Sequence, residues 1–301
     1  MNRQQGAFSD FGMDTISMAG SLDAKLQAVR DAGFTQIMLS ARDVVGHPGG
    51  VTAAARAVRD SGLRVTGLQV LRDFEGLSGH LHEYKVDIAK AMLQMCQELG
   101  STLMLACSST STHADSKPET VARDLRKLAM LAVPLGIRIA FEGLSWGRHI
   151  NDLTAAWQVV SMADAPNLGL GIDSYHSLAT KTPLDAIDDV PPEKIFLVQL
   201  SDFMWQEVRS EEERINTARH FRVFPSEGVH SQQVAELVRR LDCIGYAGDY
   251  SFEVFNDDYQ QIPLAVVAQR ARRSALWLSE EVLRRSTPLP ERIVHGRSVL
   301  P

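Results

Sequence analysis

The stretch "IRIAFEGLSWGRHIND", Ile137 to Asp152, opens as a buried strand and closes its apolar run on a carboxylate, Glu142. Apolar residues without polar alternation suit a strand covered on both faces, as in a parallel sheet. Similar runs lie on either side: "TQIMLS" (35–40), "LRVTGLQVL" (63–71), "STLMLAC" (101–107), "LGLGID" (168–173), "KIFLVQLSD" (194–202) and "YSFEVF" (250–255), with "GMDTISM" (12–18) as a weaker first candidate. Helical patterns separate them, among them "SLDAKLQAVRDAG", "KPETVARDLRKLAMLAVPLG" and "HSQQVAELVRRLDCIG". Each ends on a glycine, where a left-handed cap costs least.

Eight such strand and helix units predict an α/β fold of the (β/α)8 TIM-barrel type, whose usual size is roughly 250 residues. A doubly wound open sheet is the competing arrangement, but no G-x-G-x-x-G follows the first strand to cradle a dinucleotide. The expected organisation is one catalytic domain over 1–285 and a C-terminal tail, "STPLPERIVHGRSVLP", over 286–301. An insertion is expected over 203–228, where "RSEEER" reads as a solvated helix face.

The 301 residues carry a formal net charge of −6, which offers no basic face to a nucleic acid backbone. A small molecule is the expected partner. Three widely spaced cysteines lack zinc-ribbon or dithiol spacing and suit a reducing cytoplasm. The first residues lack the apolar core of a signal peptide, and no run reaches the roughly 18 apolar residues of a membrane helix. A homo-oligomer is compatible with the sequence.

In a barrel, the C-terminal strand ends meet at one mouth. Glu142 closes strand five, Asp173 closes strand six, Gln199 lies near the end of strand seven and Glu253 is expected within strand eight. Three carboxylates facing one cavity repel one another unless a cation intervenes. An all-oxygen donor set favours Mg²⁺ or Mn²⁺, with Co²⁺ tolerated, over a Cys/His zinc site. Any single acid is better explained by an arginine partner or a helix cap; four polar residues together on consecutive strands point to a metal.

His176, three residues after Asp173, and His149, in the loop after strand five, are the two candidates for proton transfer, since imidazole titrates near neutrality. Arg72 and Glu75 in "LRDFEG", Arg148 after strand five and Arg222 in "FRVFPSEG" are candidate substrate-binding residues. A guanidinium grips a carboxylate in a two-pronged geometry; a structural pairing with Glu75 or Glu227 is the plainer alternative. Arg42 is a weaker candidate of the same kind, and Trp146 and Phe74 are candidate walls for a cyclic substrate.

The series "FEG", "GIDSYH", "VQLSD", "FRVFPSEG" and "FEVF" resembles the xylose-isomerase-like barrel superfamily. Within it, "QVLRDFEG", "EGLSWGRHIN" and Gln199 resemble the bacterial 3-dehydroshikimate dehydratases, over about Phe11 to Leu283. The resemblance implies metal ligands at Glu142, Asp173, Gln199 and Glu253. It also implies a lyase that dehydrates 3-dehydroshikimate, a small anionic cyclic substrate, to protocatechuate through a metal-stabilised enediolate. Ketose epimerases of the superfamily usually carry His at the third ligand and a second acid where this chain has Arg148, so the amide at Gln199 favours the dehydratase branch. A sugar or inositol isomerase, epimerase or dehydratase is the alternative on the same barrel, and a non-catalytic ligand-binding barrel is the alternative from another class. An endonuclease-IV-like enzyme is disfavoured by the acidic balance. Some relatives add a dioxygenase-like domain, which the length leaves no room to expect here. One departure stands out: Ser226 occupies a turn position where relatives commonly have glycine.

Overall fold

The computed structural model describes residues 8–285. The expected tail over 286–301 and the N-terminal residues 1–7 lie outside the described residues. The barrel strands are β1 (Phe11–Asp14), β2 (Gln36–Ser40), β3 (Arg64–Arg72), β4 (Leu103–Cys107), β5 (Arg138–Glu142), β6 (Leu168–Asp173) and β7 (Ile195–Leu200). After β7 come β8 (Asp202–Phe203) and β9 (Arg222–Val223), which form a separate antiparallel ribbon, and then β10 (Tyr250–Phe252), the eighth barrel strand. The barrel closes in the order β1-β10-β7-β6-β5-β4-β3-β2, with every neighbouring pair parallel.

Helices cover the outside, each with one apolar stripe. On Gly79–Leu99 the buried residues Val86, Ala89, Leu93 and Cys96 recur at spacings of three and four, the period that places side chains on one helix face. Burying one such leucine contributes about 1.5–3 kcal/mol, so this stripe holds the helix to the barrel. Gly100 then ends the helix in the left-handed region at φ 70°.

Strand parity decides what the barrel lumen contains. In β4, Leu103, Leu105 and Cys107 pack in an inner cluster with Ala140, Phe196 and Leu197, whereas Met104 and Ala106 join the cluster under the helices. Residues two apart share a face. Glu142 therefore follows Ala140 into the lumen, Gln199 follows Leu197, and Cys107 caps the inward set of β4. Gly171 lets the Leu105 side chain pack against the backbone beneath the mouth, since a Cβ there would meet Leu105 Cδ1 at 3.0 Å; Asp173 follows it on the same face. The ligand positions expected from sequence are thus the upper layer of an otherwise apolar interior.

One expectation is corrected. The last barrel strand stops at Phe252, so Glu253 stands just past it: Val254 N–H leaves the ladder to donate to Ser17 Oγ at 2.9 Å. The insertion carries the solvated helix face expected of "RSEEER". The helix Glu211–His220 spans it between β8 and β9, opened by a reciprocal cap in which Ser210 Oγ accepts from Glu213 N–H and Glu213 accepts from Ser210 N–H. Among the described residues no helix is long and apolar enough to cross a membrane.

Candidate active site

Register brings the polar layer together. Asp173 pairs with Gln199 across β6 and β7, Gln199 pairs with Ser251 across β7 and β10, and Cys107 pairs with Glu142 across β4 and β5. Arg222 joins the remaining acid: its Nη1 donates to Asp173 Oδ2 at 2.7 Å and to Glu253 Oε2 at 3.1 Å. The same guanidinium donates from Nε to the Ala218 carbonyl at 2.9 Å and lies 4.5 Å over the Tyr175 ring. Arg222, a candidate for substrate binding in the sequence, is buried in this structure, its Nη1 on the protein's own acids and its Nε on a main-chain carbonyl.

The cluster is short of partners and rich in like charge. Glu142 Oε2 accepts from the Cys107 thiol at 3.0 Å, but Glu142 Oε1 and both amide atoms of Gln199 are buried without a hydrogen-bond partner. Burial, and then the charges of Asp173 and Glu253, push the Glu142 carboxyl well above its ordinary range. Burial likewise pushes Glu253 up to about 7, with Arg222 opposing the shift and Asp173 adding to it. Such orphaned atoms are costly in a folded protein. A divalent cation among Glu142, Asp173, Gln199 and Glu253 would give them a partner and relieve the repulsion, so these residues fit a metal. Glu142, Asp173 and His176 also bring one potential ligand atom each within 4.8 Å of one another.

Above the acids lies a cavity of about 220 Å³ lined by His176, Trp146, Leu144, Arg72, Arg219 and Phe255 as well as by Glu142 and Glu253. His176 is buried; Ser145 N–H donates to its Nδ1 at 3.1 Å, and its Nε2 lies 3.6 Å from Asp173 Oδ2. A backbone N–H can only donate, so Nδ1 accepts and the ring proton sits on Nε2, facing the acids. Burial holds the imidazole's pKa down to about 3, against the pull of Asp173, so the ring is neutral. Ser145 Oγ also lies 3.1 Å from Nδ1, an acceptor for the opposite tautomer.

Other expected residues lie elsewhere. His149 is exposed, with Nε2 on the Ala114 carbonyl at 3.1 Å; it borders a separate small void that it shares with Glu75. Glu75 is buried, accepts from Ser109 N–H, and leaves Oε2 unpartnered. Arg148 is exposed, and its backbone N–H bonds the Ser109 carbonyl at 2.7 Å. Phe74 is buried against the His82 ring, away from the cavity. Arg42 and Arg219 border a neighbouring cavity of about 400 Å³, and only Arg219 also reaches the one above the acids. Arg72 keeps its place on the cavity wall.

Sequence reasoning passed over Asp14, Gln69, Cys107 and Arg219. Asp14 closes β1, is buried, and accepts from Gln69 Nε2 and from Ile16 N–H; burial, then the charge of Glu253, raises its pKa well above the ordinary value. The signal that exposes Glu142 applies to Cys107 as well, since each is the last residue of its strand; Asp14 also ends its strand, but that strand is only four residues long. Arg219 has no comparable signal: its place depends on how the inserted helix folds over the mouth.

Comparison with known proteins agrees with this architecture. The model of a xylose isomerase-like TIM barrel family matches residues 26–281. A 3-dehydroshikimate dehydratase of Pseudomonas aeruginosa is 37% identical over 279 residues, covering 91% of this chain and 43% of that protein. The chain thus spans less than half the length of that relative. A solved xylose isomerase-like TIM barrel/4-hydroxyphenylpyruvate dioxygenase fusion protein superposes with a TM-score of 0.85 at 33% identity, over 94% of this chain and 45% of the other. The IOLI protein, solved with a binding zinc atom, superposes over 91% of this chain and 99% of its own with a TM-score of 0.78 at 19% identity, a likeness of fold.

Proposed function

The chain belongs to the xylose isomerase-like TIM barrel family, and from that premise we propose that it is a metal-dependent hydro-lyase converting 3-dehydroshikimate to protocatechuate and water. The observation that carries the reading is the partnerless set of Glu142 Oε1 and the Gln199 amide beside Asp173 and Glu253, where Glu142 and Glu253 line a cavity that also presents an imidazole and three arginines. The name and 37% identity of the Pseudomonas relative support the reaction class. Gln199, in place of the imidazole expected of ketose epimerases, supports the same branch.

Glu142, Asp173, Gln199 and Glu253 would hold the ion, with Mg²⁺ or Mn²⁺ best matched to oxygen donors and Co²⁺ tolerated. When bound, the ion would supply a Lewis acid for the substrate ketone. The protein's own groups do the rest. Arg222 keeps Asp173 and Glu253 oriented through one shared nitrogen. Leu144, Trp146 and Phe255 narrow the water around the ring.

Elimination requires a C–H proton to leave carbon and the hydroxyl on the adjacent carbon to depart as water. Among the described residues, His176 is the imidazole lining the cavity. For its Nε2 to accept the proton, the ring proton must first move from Nε2 to Nδ1, exchanging the bond from Ser145 N–H for one donated to Ser145 Oγ at 3.1 Å. Returned from Nε2 to the departing hydroxyl, the same proton completes the loss of water, so one ring serves both halves of the reaction.

The test is incubation of metal-stripped protein with 3-dehydroshikimate, with and without Mg²⁺, Mn²⁺ or Co²⁺, followed by ultraviolet absorbance. Metal-dependent appearance of the aromatic product is expected. Folded, metal-loaded protein that forms none would refute the assignment.

A further inference from the structure

The inserted helix delivers an arginine to the mouth that neither the strand ends nor the sequence motifs single out. Three guanidiniums line the cavity above the acids: Arg72, Arg219 and Arg222. Arg222 is committed, because its Nη1 serves Asp173 and Glu253 and its Nε serves the Ala218 carbonyl. It is buried among those partners and cannot turn to a ligand without uncovering two acids. Among the described residues neither Arg72 nor Arg219 makes an ion pair, and both side chains are exposed to the opening. They differ in what they stand on. Arg72 ends β3, whereas Arg219 sits in the last turn of the helix Glu211–His220, its guanidinium carbon 5.9 Å from the centre of the Trp146 ring. Trp146 in turn meets His176 edge to face at 5.1 Å. Arg219, Trp146 and His176 therefore form a column from the rim of the cavity to the imidazole at its floor.

We infer that Arg219 is a substrate-binding residue: it receives the carboxylate of a cyclic substrate at the rim while the ring lies against Trp146, with Arg72 on the facing wall. This deepens the proposed function and rests on it for the identity of the substrate. The chemistry is that of a free guanidinium beside an aromatic face, which suits a planar carboxylate: two parallel N–H donors for the anion and a surface for the ring. Because Arg219 belongs to the insertion, the insertion selects substrates by charge, and a cyclic ketone without a carboxylate forgoes that contact. Among the described residues Arg219 makes no ion pair with the acids that Arg222 balances, so its removal leaves their brace in place.

The experiment pairs kinetics with a binding probe that needs no turnover. Metal-loaded protein and its Arg219→Gln, Arg219→Lys and Arg42→Gln variants are titrated calorimetrically with benzoate, with neutral benzamide and, after metal removal, with Mn²⁺. Loss of one charged, two-pronged contact predicts benzoate binding weakened about tenfold or more in Arg219→Gln, with partial recovery in Arg219→Lys. Benzamide and Mn²⁺ affinities should stay unchanged, and Arg42→Gln, on the neighbouring cavity alone, should behave as wild type. With 3-dehydroshikimate, KM should rise by about the same factor while kcat holds within about threefold. Benzoate binding and KM within about twofold of wild type in Arg219→Gln would overturn the inference, as would an equal loss for benzamide. If wild-type protein forms no aromatic product yet benzoate binding depends on Arg219, the dehydratase reading fails and the carboxylate site stands.

Discussion

Glu142 and Glu75 are both buried carboxylates with one oxygen hydrogen-bonded and the other without a partner, yet they stand in different chemical settings. Glu142 closes a barrel strand, shares its surroundings with Asp173 and Glu253, and opens onto a cavity of about 220 Å³. Glu75 lies in the loop after β3, bound to Ser109 N–H, beside a void of about 10 Å³. Burial is the leading cause of the raised pKa at both. Burial without free volume produces a protonated acid that ties one loop to another, whereas burial among strand-end acids beside a cavity produces a place for a cation.

Glu142→Gln is the sharpest way to break this comparison. It should lower metal-dependent turnover by roughly 10²–10³-fold, the scale for losing a group that stabilises developing charge, and weaken Mn²⁺ binding in calorimetry. Relief of like charge should leave the metal-free variant at least as resistant to urea as wild type. Full activity in a chelator would end the metal assignment. Ser145→Ala comes next, since it removes the acceptor that lets Nδ1 of His176 carry the proton. The expectation is a fall in kcat of about tenfold with little change in KM, read by steady-state kinetics.

Glu75→Gln should leave Mn²⁺ affinity untouched and show itself in stability. Glu75's folded pKa is raised to about 8, so the unfolded chain ionises first as pH rises. Its contribution to stability is intact below the unfolded value and is lost as pH climbs towards 8, at up to about 1.4 kcal/mol per pH unit. Urea titrations at pH 5 and pH 8 should show a smaller loss for the variant than for wild type; equal losses would place Glu75 in an ordinary environment. The smallest effect falls outside both acids. Ser226 is held at φ 75°, a left-handed conformation that disfavours a side chain. Ser226→Gly should therefore stabilise by about 1 kcal/mol in thermal or urea unfolding, whereas an unchanged or lowered midpoint would mean that the Ser226 side chain compensates for the strain.

Much of this was legible because it is periodic. Apolar runs that close on a polar residue mark strand ends, and those ends meet at one mouth of a barrel, so Glu142, Asp173 and Gln199 could be placed before any fold was drawn, and Glu253 was misplaced by a single step past its strand. The helix stripes and their glycine ends follow from the same local rules. What escaped is non-local. The partners of Arg222 lie 49 and 31 residues away, so its role as a brace between two acids cannot be read from "FRVFPSEG". His149 follows Glu142 closely in sequence, but the loop carries it over to Ala114. Asp14 was missed for a different reason: β1 is four residues long, too short for its end to stand out.

Arg222 also has a consequence for how such barrels diversify. It sits in the later part of the inserted segment, in a ribbon that is not part of the barrel sheet, while its charge balances Asp173 at the end of a barrel strand and Glu253 one residue beyond another. The segment therefore cannot be exchanged as a self-contained module between barrels of this kind. A graft whose downstream junction falls after Arg222 imports a new counter-charge or none, and leaves Asp173 and Glu253 facing each other unbraced. Junctions placed before Ala218 would let the rest of the insertion vary while the recipient barrel keeps its own brace, which makes this boundary the natural seam for recombining rims with floors.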